Sequence, residues 1–449
     1  MDIAMEKFDK RKYTITDFGA KSEIGFDNQA CIQEAIDLCS REGGGTVIIP
    51  KGYFLTSPIE LKSNVKLHTL RGTYVRFTKI KEKYPLRYTE FEGRRAIRTV
   101  SPISALNAKN IAITGEGIFD GNGDKWRPKK DWKMSSLEWD KKKTSEFIAE
   151  VEDGLMWFPT ETAYLGFITN VDEKLPDALE RASKYYDWYR PVFVSLISCE
   201  NVLLKGVTFT NSPCWTIHPL YCKDVTVDGC LVKNPKEAQN SDGIDVESCE
   251  RVVIKNCTFD VGDDAICMKS GKGREARRKI APTKDVEVFD CTVYHGHGGF
   301  VIGSEMSRGV ENVYVHDCAF LGTDTGIKVK SALGRGGCIK DIKIKNITMS
   351  QIAGECITMS FGYSIKSLLD LSDNITQYAE DDIPTVDGIS ISDICCDSSS
   401  RFLHINGLEA SPIKNIALSN CFVTADNEDE IKYAENVTFT NVTVNGKKY

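Results

Sequence analysis

The 449-residue chain has no run of eighteen or more apolar residues, which excludes a long apolar membrane-spanning helix. Its first residues, MDIAMEKFDKRKYTITDFG, lack the apolar stretch of an export signal, so a cytoplasmic location is expected. There are sixteen cysteines, yet no CxxC pair and no Cys/His cluster has zinc spacing. In a reducing cytoplasm they read as free thiols. An excess of basic charge is missing too. The formal net charge of -7 argues against nucleic acid as the main partner. Hydrophobic residues make up 41% of the chain, enough for a large core.

What the chain does have is repetition. From residue 201 onward come NVLLKGVTFTNS, DVTVDGCLVKNP, RVVIKNCTFDVG, DVEVFDCTVYHG, NVYVHDCAFLGT, DIKIKNITMSQI, GISISDICCDSS, NIALSNCFVTAD and NVTFTNVTVNGK. Each is an alternating segment, then Asp, Asn or Gly, then an apolar residue, then a second short strand. The apolar positions are Val207, Cys230, Cys257, Cys291, Cys318, Ile347, Ile394, Cys421 and Val442, at intervals of 23, 27, 34, 27, 29, 47, 27 and 21. A leucine-rich repeat would be shorter, and a propeller blade would need four strands. Two or three short β-branched strands per repeat fit one coil of a parallel β-helix, an all-β solenoid whose coils bury their inward side chains by stacking. The repeated cysteines then form one inward row, where a small soft hydrophobe packs well.

The rest of the chain fits one such solenoid over 1–449. FDNQACIQEAIDLCSREGGGTVIIP places Ile32, Ala35, Ile36, Leu38 and Cys39 near helical spacing before Gly43–Gly45. A helix there would cap the open first coil. Residues 127–190 break the coil pattern. They are rich in Lys, Glu and Trp and include the helical-looking PDALERASKYYDWY, so an insertion is expected that could wall one side of a cleft.

Stacked coils lie about 4.8 Å apart, so residues one coil apart at the same phase are neighbours. Asp263 follows Asp242 by 21 residues, His297 follows Asp263 by 34, and Lys328 and Lys330 follow His297 by 31 and 33. Each gap is about one coil. The residues should form a ladder on one face, just after the inward anchor where the second strand begins. Asp242, Asp263 and Asp264 would bring three carboxylates together. Glycoside hydrolysis needs one protonated carboxyl and one ionised one, and mutual repulsion raises at least one pKa. His297 can tune that proton, and the lysines would attract an anionic sugar such as a uronate. The plain alternatives are a solvated Asp–Asp turn, a structural histidine and solvated lysines. His295, the other histidine of HGH, is the more structural of the two.

These motifs, NSDG (240–243), GDDAI (262–266), GHG (296–298) and GIKVKS (326–331), resemble those of the polygalacturonases, glycoside hydrolase family 28, in order and spacing. YTITDFGA, EGGGTVIIP, ITGEGIFDGNGDKW and NSPCWTIHP extend the likeness along nearly the whole chain, toward the bacterial branch. The resemblance implies a right-handed single-stranded parallel β-helix that hydrolyses α-1,4-linked galacturonate with inversion and needs no metal or other cofactor. Asp263 would be the general acid. Asp242 and Asp264 would hold and activate the water, and His297 would support protonation of the acid. Asn240 and Lys330 would contact sugar. Lys328 stands where the family has arginine, keeping the charge without the bidentate fork, and Arg335 is placed to compensate. Stacked carboxylates about 5 Å apart would by general geometry suggest retention rather than inversion. A three-carboxylate site can still hold a water.

The leading expectation is an exo-acting galacturonidase on pectic oligosaccharides, with residues 127–190 closing the cleft. A hydrolase of rhamnogalacturonan or xylogalacturonan, a Ca²⁺-dependent β-helix lyase and a non-catalytic uronate-binding solenoid stay open beside it. The sequence leaves the oligomeric state open.

Overall fold

The computed structural model describes residues 8, 10–151, 154–169, 171–277, 281–363 and 378–449. The repeats are coils of a right-handed parallel β-helix, and 31 strands join in one sheet system. A typical coil has three strands, as in Glu250–Lys255, Thr258–Asp260 and Asp264–Lys269. One row runs in register through Val47, Leu67, Ile113, Leu204, Val227, Ile254, Val288, Val315, Ile344, Ile391, Leu418 and Phe439. Alternation sends these side chains inward and their sequence neighbours outward. The expected anchor row is present. Cys318, Ile347, Ile394, Cys421 and Val442 pair directly, and Cys230, Cys257 and Cys291 stack beneath them, each just before a paired strand. All are buried, and none of the sixteen cysteines is in a disulfide.

The Asp, Asn or Gly before each anchor has a backbone cause. Asn256, Asp290, Asp317, Asn346, Asp393, Asn420 and Asn441 have φ between 52 and 57. Gly206 and Gly229 are also left-handed there, at 76 and 64. Only Gly, and less readily Asn and Asp, adopt this corner at low cost. The side chains add a ladder between coils. The Asn256 amide donates to Asp228 at 2.9 Å, and Asn441 donates to Asn420 at 2.9 Å.

The N-terminal helix, Gln29–Arg41, buries Ile32, Ala35, Ile36 and Cys39 against the first coils, as expected. At the other end, Lys447–Lys448 folds back antiparallel on Thr443 and Val444, and Tyr449 packs its ring 4.3 Å from Phe439. The insertion is partly helical. It contains a three-stranded antiparallel sheet (Lys129–Lys130, Ile148–Val151, Gly154–Trp157) and the helices Ser136–Asp140, Glu161–Thr169 and Ala178–Ser183. Residues 152, 153 and 170 of this stretch lie outside the described residues.

A second departure from the coils escaped the sequence reading. Leu86–Phe91 and Arg94–Thr99 form an antiparallel hairpin that stands off the helix. Its turn residues, Glu92 and Gly93, have φ of 53 and 67, the positive pair that a tight hairpin requires. Glu–Gly is a weaker turn signal than Asn–Gly or Asp–Gly, and the flanking strands alternate like any coil strand.

Candidate active site

The site lies on one outer face, on four stacked strands: Ile244–Glu247, Asp264–Lys269, Gly298–Gly303 and Ile327–Lys330. Ile244, Ile266, Phe300 and Ile327 align and point inward. The catalytic candidates sit in the turns leading into these strands. They therefore begin the third strand of each coil, not the second as the sequence spacing suggested. The ladder also splits. The His297 amide donates to the Asp263 carbonyl at 3.0 Å, so these two residues are one coil apart in phase. Asp242 aligns instead with Asp264. Lys328 and Lys330 lie farther along their strand, beside Val301 and Gly303. Intervals alone misplaced them because the connecting loops differ in length, so a near-coil interval does not fix phase.

The three carboxylates are buried and differently held. Asp263 accepts from the backbone N–H of Asn240 and of Asp264, both at 3.1 Å, and lies 3.2 Å from His297 Nδ1. Burial pushes its pKa up, but His297, Lys130 and Lys133 outweigh it and hold the carboxyl well below the usual range. Asp264 accepts from Lys330 Nζ at 2.6 Å. Its pKa is lowered because Lys330 overcomes the effect of burial. Asp242 goes the other way. Burial, then repulsion from Asp245 and Asp263, raises its pKa well above the usual range. Its Oδ1 is buried with no hydrogen-bond partner among the described residues. The expected spread of proton affinities is present, with Asp242 raised and Asp263 and Asp264 lowered.

Asp263, Asp264 and His297 bring possible ligand atoms within 4.8 Å of one another, and among the described residues they are the one group that could hold a metal ion. The Lys330 ammonium on Asp264 already supplies local positive charge there. The Asn240 side-chain oxygen accepts from Arg190 at 2.7 Å, which leaves its NH₂ for a ligand. Lys328 makes no ion pair or hydrogen bond among the described residues, so its charge is available on this face. Arg335 lies 3.4 Å from Glu305, so its charge is already partnered.

Several groups were missed in the sequence. Glu247, Lys269, Gly303 and Lys330 share one outward row, and Asp245, Cys267, Val301 and Lys328 share the next. Lys269 is buried between Glu305, at 3.0 Å, and Asp245, at 3.6 Å. His218 shares a 2.7 Å contact with Glu247, and burial lowers its pKa to about 3, so the imidazole is neutral. Asp324 lies 3.7 Å from His297 Nε2. Aligning IDVE, ICMK, FVIG and IKVK would have paired Glu247 with Lys269. Nothing in the sequence marks which outward positions become covered.

Two elements cover this face on the N-terminal side. The hairpin places Phe91 4.5 Å from Trp215 and 5.9 Å from His218, one coil before Asp245. Lys272 N–H donates to the Glu92 carbonyl at 2.9 Å. The insertion docks beside it through Ile97, Ala178, Ala182 and Tyr189. Behind the hairpin the groove resumes as a cavity of about 450 Å³ lined by Glu60, Arg87, Tyr88, Ser104 and Ser195. The hairpin therefore crosses an otherwise continuous groove.

Paired buried carboxylates of opposed proton affinity, set in the groove of a parallel β-helix, define a glycoside hydrolase. The chain belongs to the glycosyl hydrolases family 28, whose match covers residues 180–442. It is 26% identical over 452 aligned positions to an exo-poly-alpha-D-galacturonosidase of Dickeya chrysanthemi, covering 95% of this chain and 71% of the relative. It is 24% identical to a probable polygalacturonase of Vitis vinifera, covering 91% of this chain and 73% of the relative. Among solved structures it superposes on a hyperthermoactive exopolygalacturonase from Thermotoga maritima with a TM-score of 0.84 and 29% identity, covering 100% and 94% of the two chains.

Proposed function

We propose that this enzyme hydrolyses α-1,4-galacturonosyl linkages from one end of an anionic pectic chain, with inversion. The observation that carries this reading is the set of three buried carboxylates beside Lys328, in a groove crossed by a hairpin one coil away. The similarity to exo-acting relatives supports it. Asp263 gives its proton to the departing glycosidic oxygen. Asp264, ionised beside Lys330, takes a proton from the attacking water, and protonated Asp242 helps hold that water. Asp263 obtains its proton through His297. A bound uronate neutralises nearby lysine charge and adds its own, and both effects raise the proton affinity of Asp263. Rows of buried thiols outside any disulfide support a reducing cytoplasmic location. Recovery of the native protein outside its producing cell would remove that assignment.

The raised pKa of Asp242 favours a second reading, in which Asp242 is the proton donor. The test compares wild type, Asp263→Asn and Asp242→Asn on trigalacturonate and on an aryl galacturonide, whose leaving group needs little protonation. Loss of the acid should cost about 10²–10⁴-fold on trigalacturonate and far less on the aryl substrate. That pattern in Asp263→Asn supports the first reading, and in Asp242→Asn the second. Unsaturated products from the wild type would overturn hydrolysis itself.

A further inference from the structure

We infer that Lys133, from the insertion, receives the carboxylate of the terminal sugar, so that the wall reads charge as well as blocking the groove. The inference rests on the end-acting reading above. Lys133 reaches the catalytic coil from outside it. Its Nζ donates to the carbonyl of Gly262, the residue before Asp263, at 2.5 Å. That uses one of three donors. Among the described residues no carboxylate lies within ion-pair distance of it, and the charges it feels most are Asp263 and then Asp324. Lys133 is half-buried, and burial pulls its pKa down. A partly desolvated ammonium without a counter-ion is costly unless a ligand supplies one.

Its place along the helix axis gives the ligand its position. The insertion strand that precedes Lys133 bridges to Ala238 through Lys129, and Lys129 pairs with Glu237 at 3.0 Å. From there the chain crosses to the next coil, and Lys133 stands over the Asp263 turn, at the carbonyl of Gly262. Lys328 stands farther from the hairpin, two coils beyond Asp264 in register. That separation is about 10 Å. Lys133 lies at the Asp263 turn and Lys328 farther along the groove, so sugars on the two sides of the scissile bond each meet one cation. The hairpin closes the groove on the Lys133 side, which makes the sugar there the chain end. Lys130 adds charge at the same place, its ammonium 5.1 Å from the Trp132 ring.

The test uses the whole enzyme with trigalacturonate and with the same trimer reduced to galactose at the terminal carboxyl. Wild type should prefer the uronate terminus by about 10- to 100-fold in kcat/KM. Lys133→Met should abolish that preference, and Lys133→Arg should restore part of it. The penalty for reducing the carboxyl across the scissile bond should persist in Lys133→Met. An equal loss on both substrates would show that Lys133 only positions the Gly262 turn and would overturn the inference. A wild type that releases no terminal sugar would sink the end-acting reading instead. Thermal melts of the variants separate misfolding from either outcome.

Discussion

At the scale of single residues, the Asp264–Lys330 pair sets the charge balance at the site. Lys330 is buried, and its pKa is raised by Asp264 against the effect of burial. Asp264 is lowered in return, so its ionised form persists at acid pH. Lys330→Met removes the cation, so the Asp264 pKa rises and the acid limb of the kcat–pH profile moves to higher pH. An unmoved limb would mean that another group sets it. The variant also leaves a buried carboxylate unpaired, at a cost of about 3–5 kcal/mol near neutral pH. The depressed Asp264 pKa gives stability that is present above its unfolded value and lost as pH falls through the folded value. The stability gap between variant and wild type should therefore narrow on acidification. Asp242, Asp263, Asp264 and His297 were legible as a group because coil spacing brings them near one another. Lys330 was legible as a charge but not as the partner of Asp264. Lys269 and His218 were illegible, since nothing local distinguishes a covered outward position from a solvated one.

At the scale of the element, the coils are set by their corners as much as by their strands. The left-handed residue before each anchor turns the chain so that the next strand keeps its inward face. Asn256, with φ of 54, is one such corner. Asn256→Ala forces a side chain with no local hydrogen bond into that conformation and should cost about 1–2 kcal/mol. Asn256→Gly should cost clearly less. Equal losses in chemical denaturation would mean that the amide bond to Asp228, and not backbone conformation, selects asparagine. This pattern was fully visible in the sequence as Asp, Asn or Gly before an apolar residue, though its cause was not. The hairpin of Leu86–Phe91 and Arg94–Thr99 shows the converse. Its strands alternate as coil strands do, so periodicity of two could not say whether they pair within the helix or with each other.

For the molecule as a whole, a β-helix presents an open groove, and end-on action needs something across it. The sequence pointed to residues 127–190, and the structure adds residues 86–99 beside them. The Val100 N–H donates to the Pro85 carbonyl at 3.0 Å, so the ends of the hairpin already meet. Replacing 86–99 by a two-residue turn should leave the coils in place. It would uncover Trp215 and join the active groove to the cavity beside Ser195. A chain could then pass the catalytic coil instead of stopping at it. On long galacturonan at low conversion, wild type should release only the terminal unit, and the hairpin-less enzyme a mixture of oligomers. Monomer alone from the variant would assign the wall to the insertion, which keeps its own core around Met156, Phe158 and Ala163. Mixed oligomers from the wild type would end the end-acting assignment while leaving hydrolysis by the three carboxylates intact.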